Sequence, residues 1–353
     1  MSLLEINNLH VEFETREETV YALNGVNLEV DTNQVLGVIG ESGCGKSVTA
    51  MSIMRLLESP PGHITEGEIR YDGENLLELS EEEMNEIRGD DISMIYQDPM
   101  ESLNPSLTVG YQVMEPLLAH RDISKKSARN QAIETLKKCG LADANRIMDE
   151  YPHSLSGGMQ QRVMIAMAVI TDPKLLICDE PTTALDVTIQ AQILDLLSDL
   201  RRDFETSMIF ITHDIPVVSE IADEIAVMYA GNVVEVSPID RFHDDPLHPY
   251  TKLLLESMPR IRQSMEQLPT IDGVVPTFND PPTGCVFASR CPDHLGSECD
   301  EIEPSLDLPP ETDLNQKVAC HLYDETVGQE SVTASDRTGD VQARSGVSEE
   351  ERS

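Results

Sequence analysis

An eight-residue segment of the chain, residues 40–47, combines glycines, a lysine and a serine at a spacing suited to phosphate binding. It reads G-E-S-G-C-G-K-S, fits the pattern G-x-x-x-x-G-K-[ST], and follows the apolar run 35–39. The glycines leave backbone N–H groups free to wrap phosphate oxygens, Lys46 brings a positive charge, and Ser47 offers a hydroxyl to Mg²⁺. An ordinary glycine-rich turn is the alternative interpretation. We predict a nucleoside triphosphate site formed by Gly40, Glu41, Ser42, Gly43, Cys44, Gly45, Lys46, Ser47 and Val48.

Two adjacent carboxylates, Asp179 and Glu180, follow a second apolar run, residues 175–178. In this arrangement, the Walker B pattern, the first carboxylate can hold Mg²⁺ and the second can orient an attacking water. An isolated pair of acidic residues at a strand end is more often a solvated surface feature. Its place downstream of a phosphate loop favours the catalytic interpretation.

Residues 155–162, L-S-G-G-M-Q-Q-R, lie shortly before this carboxylate pair. L-S-G-G-x-Q is the signature of ATP-binding-cassette (ABC) proteins, and the chain resembles that family over about residues 3–237. Gln97 matches the family's Q-loop, residues 184–186 (A-L-D) its D-loop, and His213 its switch histidine. The resemblance implies an α/β P-loop NTPase fold with a RecA-like parallel-sheet core, an antiparallel β subdomain and an α-helical signature subdomain.

The resemblance also implies how the residues share the hydrolysis of ATP. Glu180 would act as the base or water-orienting group, and His213 would hydrogen-bond the γ-phosphate; taken alone, His213 would be interpreted as a core histidine. The implied catalytic set is Glu180, His213, Gln97 and Lys46, and the implied Mg²⁺ ligands are Ser47, Gln97 and Asp179.

Phe13 lies where the family stacks an aromatic ring on adenine. A core phenylalanine at a strand end is the alternative, because buried phenylalanines are common, and Tyr21 is the reserve candidate.

The signature glycines would let a helix N-terminus approach a γ-phosphate, with Ser156 donating a hydrogen bond. In the family two cassettes pack head to tail, so each signature closes on ATP held by the other chain. The residues implied at this shared site are Ser156, Gly157, Gly158, Gln160 and Asp186.

Three further segments, residues 97–105, 181–188 and 248–254, look like those of the ATPase subunits of dipeptide and oligopeptide importers. Such a subunit usually pairs with a related, non-identical ATPase, with a second copy of the same chain as the alternative, and with two transmembrane permease subunits and an extracellular peptide-binding protein. The resemblance therefore implies a peripheral location on the cytoplasmic side of the cell membrane. Nickel importers share these features, so the cargo stays open between peptides, nickel and other small solutes.

Cys285, Cys291, Cys299 and Cys320 fall within 36 residues, with the spacing C-x5-C-x7-C-x20-C. Clustered thiols in a reduced compartment suggest a metal site, yet the spacing lacks the C-x2-C of structural zinc sites and matches neither common ferredoxin pattern. Resemblance to the peptide-importer subunits implies a [4Fe–4S] cluster, with Zn²⁺ as the alternative and free or paired thiols after it. The remaining cysteines, Cys44, Cys139 and Cys178, are interpreted as small core or loop residues.

The spacing of apolar residues predicts the elements that position these groups. Alternation over residues 4–13 and 21–30 predicts antiparallel strands, and the runs 174–178 and 207–212 predict buried parallel strands. Helical periodicity is present over residues 112–120, 124–139, 159–171 and 189–204.

Prolines and cysteines become frequent after about residue 237, which predicts a domain boundary there. We predict a nucleotide-binding domain over residues 1–237, with a helical subdomain over about 98–170, and a Cys-rich extension over 238–323. The acidic tail, residues 324–353, is predicted to be disordered because it has few apolar residues.

The chain is strongly acidic, with 64 Asp and Glu against 25 Lys and Arg and a formal net charge of −39. This charge argues against a nucleic-acid partner. A lysine-poor acidic surface resembles the proteins of salt-accumulating halophilic archaea, and an acidic binding surface for one partner is the alternative. No apolar run is long enough to cross a bilayer, and the N-terminus lacks the features of a secretion signal, so we expect the cytosol.

Two other function classes compete with a peptide importer. A soluble ABC ATPase of DNA repair or translation would carry a long coiled coil or two fused cassettes, and the sequence has neither. A regulatory module would sense iron or redox state through the cysteines, and the intact Glu180 and His213 argue against an inactive enzyme.

Overall fold

The computed structural model describes residues 1–97, 102–183, 186–258, 271, 273–309 and 315–324. Its strands are β1 (Ser2–Glu14), β2 (Thr19–Asp31), β3 (Val35–Ile39), β4 (Gly62–Tyr71), β5 (Glu74–Asn75), β6 (Ile92–Ile95), β7 (Leu175–Asp179), β8 (Ser207–Thr212), β9 (Glu224–Tyr229), β10 (Asn232–Pro238) and β11 (Lys317–Val318). Its helices are α1 (Lys46–Ile53), α2 (Glu81–Ile87), α3 (Val109–His120), α4 (Lys125–Lys138), α5 (Ala144–Ile147), α6 (Gly157–Val169), α7 (Val187–Phe204), α8 (Ile215–Ser219), α9 (Ile239–Asp244), α10 (Pro249–Glu256) and α11 (Ser297–Glu301).

The described strands form two sheets. One is antiparallel, in the order β2-β1-β4-β5, and the other has the order β11-β10-β9-β3-β8-β7-β6. The larger sheet is parallel from β9 to β6, and β10 and β11 extend it with antiparallel pairs. The predicted antiparallel subdomain and parallel core are both confirmed.

The parallel sheet is covered on both faces, which explains why its strands are apolar without alternation. In β3, Val35 and Ile39 face the core shared with the helices. Leu36 and Val38 face the core shared with the antiparallel sheet. All five residues of β3 are buried, so the strand that leads into the phosphate loop is held on both sides.

Helix starts explain where the predicted helices differ from the observed ones. Thr108 and Ser124 accept hydrogen bonds from backbone N–H groups and begin α3 and α4. Helix α6 begins at Gly157, two residues before the predicted start. Sequence analysis missed α2, although Ser80 and Glu83 form a capping box there.

The segment after residue 237 packs into the same core as the cassette. Phe242, Tyr250 and Phe287 belong to the core cluster of the helices, and β11 pairs with β10. The domain boundary itself stays a prediction, and the tail beyond residue 324 lies outside the described residues. Within the described ranges, no helix combines the length and apolar character needed to cross a membrane.

Candidate nucleotide-binding and catalytic site

The phosphate loop, residues 40–47, lies between the carboxyl end of β3 and α1, as the sequence predicts. Gly45 has φ 105°, and a Cβ atom added there would come within 2.6 Å of Leu23. At Gly40 an added Cβ would lie 2.2 Å from the Met228 carbonyl oxygen. Glycine is therefore required at both positions, because the loop runs directly against β9 and its neighbours.

Lys46 lies within the curve of the loop and is 6% exposed. Its Nζ donates to the carbonyl oxygens of Gly40 at 2.8 Å and Glu41 at 3.0 Å. The loop thus holds an ammonium group at its centre. Ser42 and Gly43 are exposed on the loop, Cys44 is buried, and burial raises the pKa of the Cys44 thiol despite the nearby lysine.

Ser47 and Asp179 meet beside the loop, with the Ser47 hydroxyl donating to Oδ1 of Asp179 at 3.1 Å. Burial raises the pKa of Asp179, and the negative charge of Glu180 adds to this effect. A hydroxyl and a carboxylate oxygen are ligands that Mg²⁺ prefers, and a cation would offset the cost of a buried carboxylate. The residues present fit the predicted Mg²⁺.

Three side chains hydrogen-bond the Glu180 carboxylate. Gln97 donates to Oε2 at 3.0 Å, Thr183 donates to the same oxygen at 2.8 Å, and Nδ1 of His213 lies 3.1 Å from Oε1. Burial acts to raise the pKa of Glu180, but the hydrogen bonds from His213 and Thr183 and nearby positive charge outweigh it and lower the pKa. Glu180 is therefore an oriented, ionised carboxylate at the end of β7.

The Glu180 backbone adopts φ 48°, a left-handed conformation that is strained in a residue with a side chain. His213 follows β8, and its side chain is 61% exposed, so it is not a core histidine. These two residues and the phosphate loop meet because parallel strands end at the same edge of the sheet.

The signature segment presents an open helix N-terminus. Ser156 precedes α6 without a side-chain capping bond, and a Cβ added to Gly157 would meet no atom within 4 Å. Both residues are exposed, whereas Gln160 points inward and donates to the Pro152 carbonyl oxygen at 2.8 Å. Within one chain, Ser156 and Gly157 are free to contact another molecule and Gln160 is not.

Asp186 has a local role at the start of α7, where its carboxylate accepts from the N–H groups of Thr188 and Ile189. The other D-loop residues, 184 and 185, and Q-loop residues 98–101 lie outside the described residues.

Phe13 and Tyr21 flank the first hairpin. Phe13 is half-buried against the core of the antiparallel sheet, and the backbone N–H of Tyr21 donates to the Phe278 carbonyl oxygen at 3.0 Å. Val48, in α1, is half-buried in the same core. The adenine-stacking role of Phe13 stays a prediction.

All seven cysteines are free thiols, and Cys44, Cys139 and Cys178 are buried as predicted. The backbone N–H of Cys285 donates to the Cys299 carbonyl oxygen at 2.7 Å. Burial and the charges of neighbouring cysteines raise the pKa of Cys291 to about 11 and of Cys320 to about 12. In the part of the chain that the structure describes, no group of three or more His, Cys, Asp or Glu is arranged to hold a metal ion. The iron–sulfur cluster stays a prediction.

Sequence analysis missed two sets of contacts at the site. Thr183, whose hydroxyl donates to Glu180, was part of the segment 181–188 but was given no role. Tyr250 was noted only for its subfamily pattern, yet its hydroxyl accepts from the backbone N–H of Glu41 at 3.1 Å. No sequence pattern predicts either contact, because the tertiary fold decides which residue lies next to Thr183 and which lies next to Tyr250.

Family comparisons agree with this geometry. Residues 23–183 match the family described as ABC transporter, and residues 234–299 match the oligopeptide/dipeptide transporter C-terminal region. The chain is 48% identical over 334 residues to the oligopeptide transport ATP-binding protein AppD of Bacillus subtilis, covering 94% of this chain and 99% of the relative. The dipeptide transport ATP-binding protein DppD of the same organism is 47% identical, with 92% and 95% covered.

Solved structures agree as well. The dimeric ATP-binding cassette MJ0796 in a post-hydrolysis state with ADP and phosphate is similar at 32% identity and a TM-score of 0.61, covering 67% of this chain and 98% of that one. CbiO1 from Clostridium perfringens, part of the ABC transporter complex cbiONQ, has a TM-score of 0.59 at 25% identity, covering 69% and 91%. These likenesses confirm the predicted cassette fold.

Proposed function

Because the chain belongs to the ABC transporter family, among its oligopeptide and dipeptide transport ATP-binding proteins, we propose that it couples ATP binding and hydrolysis to peptide uptake across the cell membrane. One observation carries the catalytic part of this proposal. The ends of β3, β7 and β8 bring Lys46, the Ser47–Asp179 pair and the Glu180–His213 pair to one edge of the sheet.

In the proposed reaction the phosphate loop binds the triphosphate through its backbone N–H groups and Lys46. Ser47, Asp179 and Gln97 would hold Mg²⁺, which supplies charge stabilisation to the phosphate oxygens. Glu180 accepts a hydrogen bond from the attacking water and orients it toward the γ-phosphate. His213 fixes the Glu180 carboxylate through Nδ1 and would donate to the γ-phosphate through its exposed side.

We further propose that the signature acts on nucleotide held by a second cassette. Ser156 and Gly157 are exposed at the start of a 13-residue helix, and Ser156 has no capping bond within its own chain. The open N-terminus would approach the γ-phosphate bound at the other subunit's phosphate loop, and the reverse contact would close on the nucleotide held by Lys46. Loss of the γ-phosphate on hydrolysis removes these bridging contacts and lets the dimer open.

The proposed assembly contains a related, non-identical ATPase subunit, two transmembrane permease subunits and an extracellular peptide-binding protein, with this chain on the cytoplasmic side of the membrane. The names of the relatives support a peptide cargo. A nickel or other small-solute importer is the second candidate, because the sequence segments that indicate the subfamily are shared with nickel importers.

Co-purification tests the assembly and the cargo. An affinity-tagged chain expressed in its own organism should bring down integral membrane subunits, and the associated binding protein should retain peptides. Retained nickel would favour the second candidate. A chain that purifies without any membrane subunit would support a soluble ABC ATPase and contradict the transport role.

We also propose that Cys285, Cys291, Cys299 and Cys320 bind a [4Fe–4S] cluster, with Zn²⁺ as the alternative. Cys285 and Cys299 are joined by a backbone hydrogen bond, and a metal centre held by the four thiols would cross-link this proline-rich segment. Anaerobically purified protein should absorb visible light and contain iron, and Cys291→Ser should lose both, whereas Cys139→Ala should lose neither. Colourless protein with zinc would favour the alternative, and protein with neither metal would contradict the site.

The net charge of −39 is compatible with a cytosol of high salt concentration. At molar salt the Debye length falls to about 3 Å, so repulsion between surface carboxylates is largely screened. We propose a halophilic, archaeal source. The melting temperature should rise steeply between ~0.1 M and ~2 M KCl, and a melting temperature that is independent of salt would contradict this proposal.

A further inference from the structure

Glu41, the second residue of the phosphate loop, is held by the C-terminal extension. Its backbone N–H donates to the Tyr250 hydroxyl at 3.1 Å, and its carboxylate lies 3.4 Å from the Arg290 guanidinium. Its carbonyl oxygen accepts from Nζ of Lys46 at 3.0 Å. Residues far away in sequence therefore fix the peptide that in turn contacts the phosphate-binding lysine.

Both of these extension residues are themselves held rigidly. The Tyr250 ring is 0% exposed and lies 4.8 Å from the Tyr229 ring and 5.4 Å from the Phe287 ring, between centroids. The Arg290 side chain is 8% exposed, and it donates to the Tyr229 hydroxyl at 3.1 Å and to the Ile271 carbonyl oxygen at 3.3 Å. A buried hydroxyl and a buried cation with fixed partners can hold the loop without losing side-chain freedom when ATP binds.

The charge at this point also matters for an anionic ligand. Glu41 places a carboxylate on the loop that receives a triphosphate, and Arg290 is the cation beside it. Without that cation, the carboxylate would repel the phosphates across a partly buried site, where charges are poorly screened.

We propose that Tyr250 and Arg290 are positioning residues of the ATP site, which hold the phosphate loop at Glu41 in the conformation that binds the triphosphate. This inference rests on the proposed ATP-hydrolysing function. It assigns to the extension an effect on nucleotide affinity, separate from any effect on partners or cargo.

The test measures binding of a fluorescent ATP analogue and steady-state ATPase kinetics on the full chain at high salt. Tyr250→Phe keeps the ring and removes the hydroxyl, and we expect the Kd and KM for ATP to rise about five-fold with kcat retained, as for one lost hydrogen bond. The matched control is Tyr323→Phe. In the wild type the Tyr323 hydroxyl donates to the Leu247 carbonyl oxygen, within the extension, so its loss should not affect the phosphate loop.

Arg290→Met should raise the KM about ten-fold or more, because it leaves the Glu41 carboxylate uncompensated. Arg290→Lys should restore part of the affinity. In a Glu41→Gln background, Arg290→Met should have a much smaller effect, because the repelling charge is gone. If the fold-changes in KM of Arg290→Met and Glu41→Gln multiply in the double variant, the two residues act independently and the charge argument is contradicted.

Melting temperatures separate positioning from packing. If Tyr250→Phe and Tyr323→Phe lower the melting temperature equally and neither changes ATP affinity, Tyr250 is structural and the inference is wrong. Unchanged ATP affinity in all Tyr250 and Arg290 variants, with normal binding by the wild-type chain, overturns the inference alone. A wild-type chain that binds no ATP would instead contradict the proposed function.

Discussion

The nucleotide site and the C-terminal extension hold their side chains by opposite physical means. At the nucleotide site, polar groups at the ends of parallel strands hydrogen-bond one another, and some of them, such as Gln97 and His213, stay open to solvent. In the extension, Tyr250 and Phe287 pack on Tyr229 with all three rings fully buried.

This contrast separates residues that act on a ligand from residues that keep the chain folded. A hydrogen-bonded side chain at an open edge can be replaced by an isostere with little loss of stability, whereas a buried ring cannot. We therefore expect substitutions in the first region to change turnover and truncation of the rings in the second to change the free energy of unfolding, whereas loss of the Tyr250 hydroxyl alone should act on ATP affinity through Glu41. Glu41 is the point where the two regions meet.

The largest expected effect is on turnover. Glu180→Gln should lower the ATPase rate by about 10²–10⁴-fold, the range found for a lost general base, because the amide cannot accept a proton from water. ATP binding should persist, and a dimer with trapped nucleotide should accumulate, as seen by size-exclusion chromatography. The melting temperature without ATP should barely change, since Gln keeps the shape. Undiminished hydrolysis would remove Glu180 from the catalytic role.

The next effect is on stability. Phe287→Ala removes a fully buried ring that contacts Tyr229 and Tyr250, and it should reduce the free energy of unfolding by about 3–5 kcal/mol. Denaturant unfolding at fixed salt measures this loss. Phe204→Ala, at a half-buried ring on α7, is the matched control and should lose less. Equal losses in the free energy of unfolding for both variants would show that the buried aromatic cluster stabilises the fold no more than a half-buried ring does.

Sequence reasoning was strongest where chemistry and chain spacing coincide. Lys46, Ser47, Asp179, Glu180 and His213 were assigned from short patterns, and the structure brings them together because each follows a strand of one parallel sheet. The start of α3 was less accurate, since Thr108 caps the helix and Val109 begins it three residues before the predicted start, whereas the start of α4 was predicted to within one residue.

The contacts between the extension and the phosphate loop could not be predicted from the sequence. Tyr250 and Arg290 approach Glu41 across more than 200 residues of chain. A hydroxyl that accepts a hydrogen bond from a backbone N–H leaves no pattern in the sequence, because every residue except proline has that N–H group. Likewise, Gln160 belongs to the signature by spacing, yet the helical turn directs it inward to Pro152. Spacing identifies which residues can do chemistry, and packing decides which of them face a ligand.

In the extension, His248 should make stability depend on pH near neutrality. Burial lowers the pKa of His248 to about 3, and its Nδ1 accepts from the backbone N–H of Tyr250, so the folded state holds it neutral. Below the ordinary pKa of about 6.5, the unfolded chain takes up a proton that the folded chain does not, so stability is present above that pH and falls as pH decreases toward about 3.

His248→Asn tests this contribution, because asparagine keeps a capping acceptor and does not titrate. The variant should lose less stability than the wild type between about pH 7 and pH 5, measured by denaturant unfolding. His153→Asn, at an exposed position, should keep the wild-type pH dependence. Parallel curves for the wild type and His248→Asn would show that His248 is not held neutral by the fold.

The smallest expected effect tests how the Glu180 carboxylate is oriented. Thr183→Val removes a hydroxyl that donates to Glu180 at 2.8 Å, and a hydrogen bond worth about 0.5–1.5 kcal/mol corresponds to a loss of about two- to ten-fold in kcat. The KM for ATP should stay the same, because within the described part of the chain the hydrogen bonds of Thr183 go to Glu180 and not to the phosphate loop. Thr32→Val, at an exposed turn, is the control.

The size of the Thr183 effect decides how the site is held. Gln97 and His213 also hydrogen-bond Glu180, so two of three contacts survive in Thr183→Val and the carboxylate should keep most of its orientation. A loss as large as that of Glu180→Gln would mean that Thr183 alone sets the orientation. The hydrogen-bonded site would then be as intolerant of small changes as the buried aromatic cluster, and the contrast between the two regions would disappear.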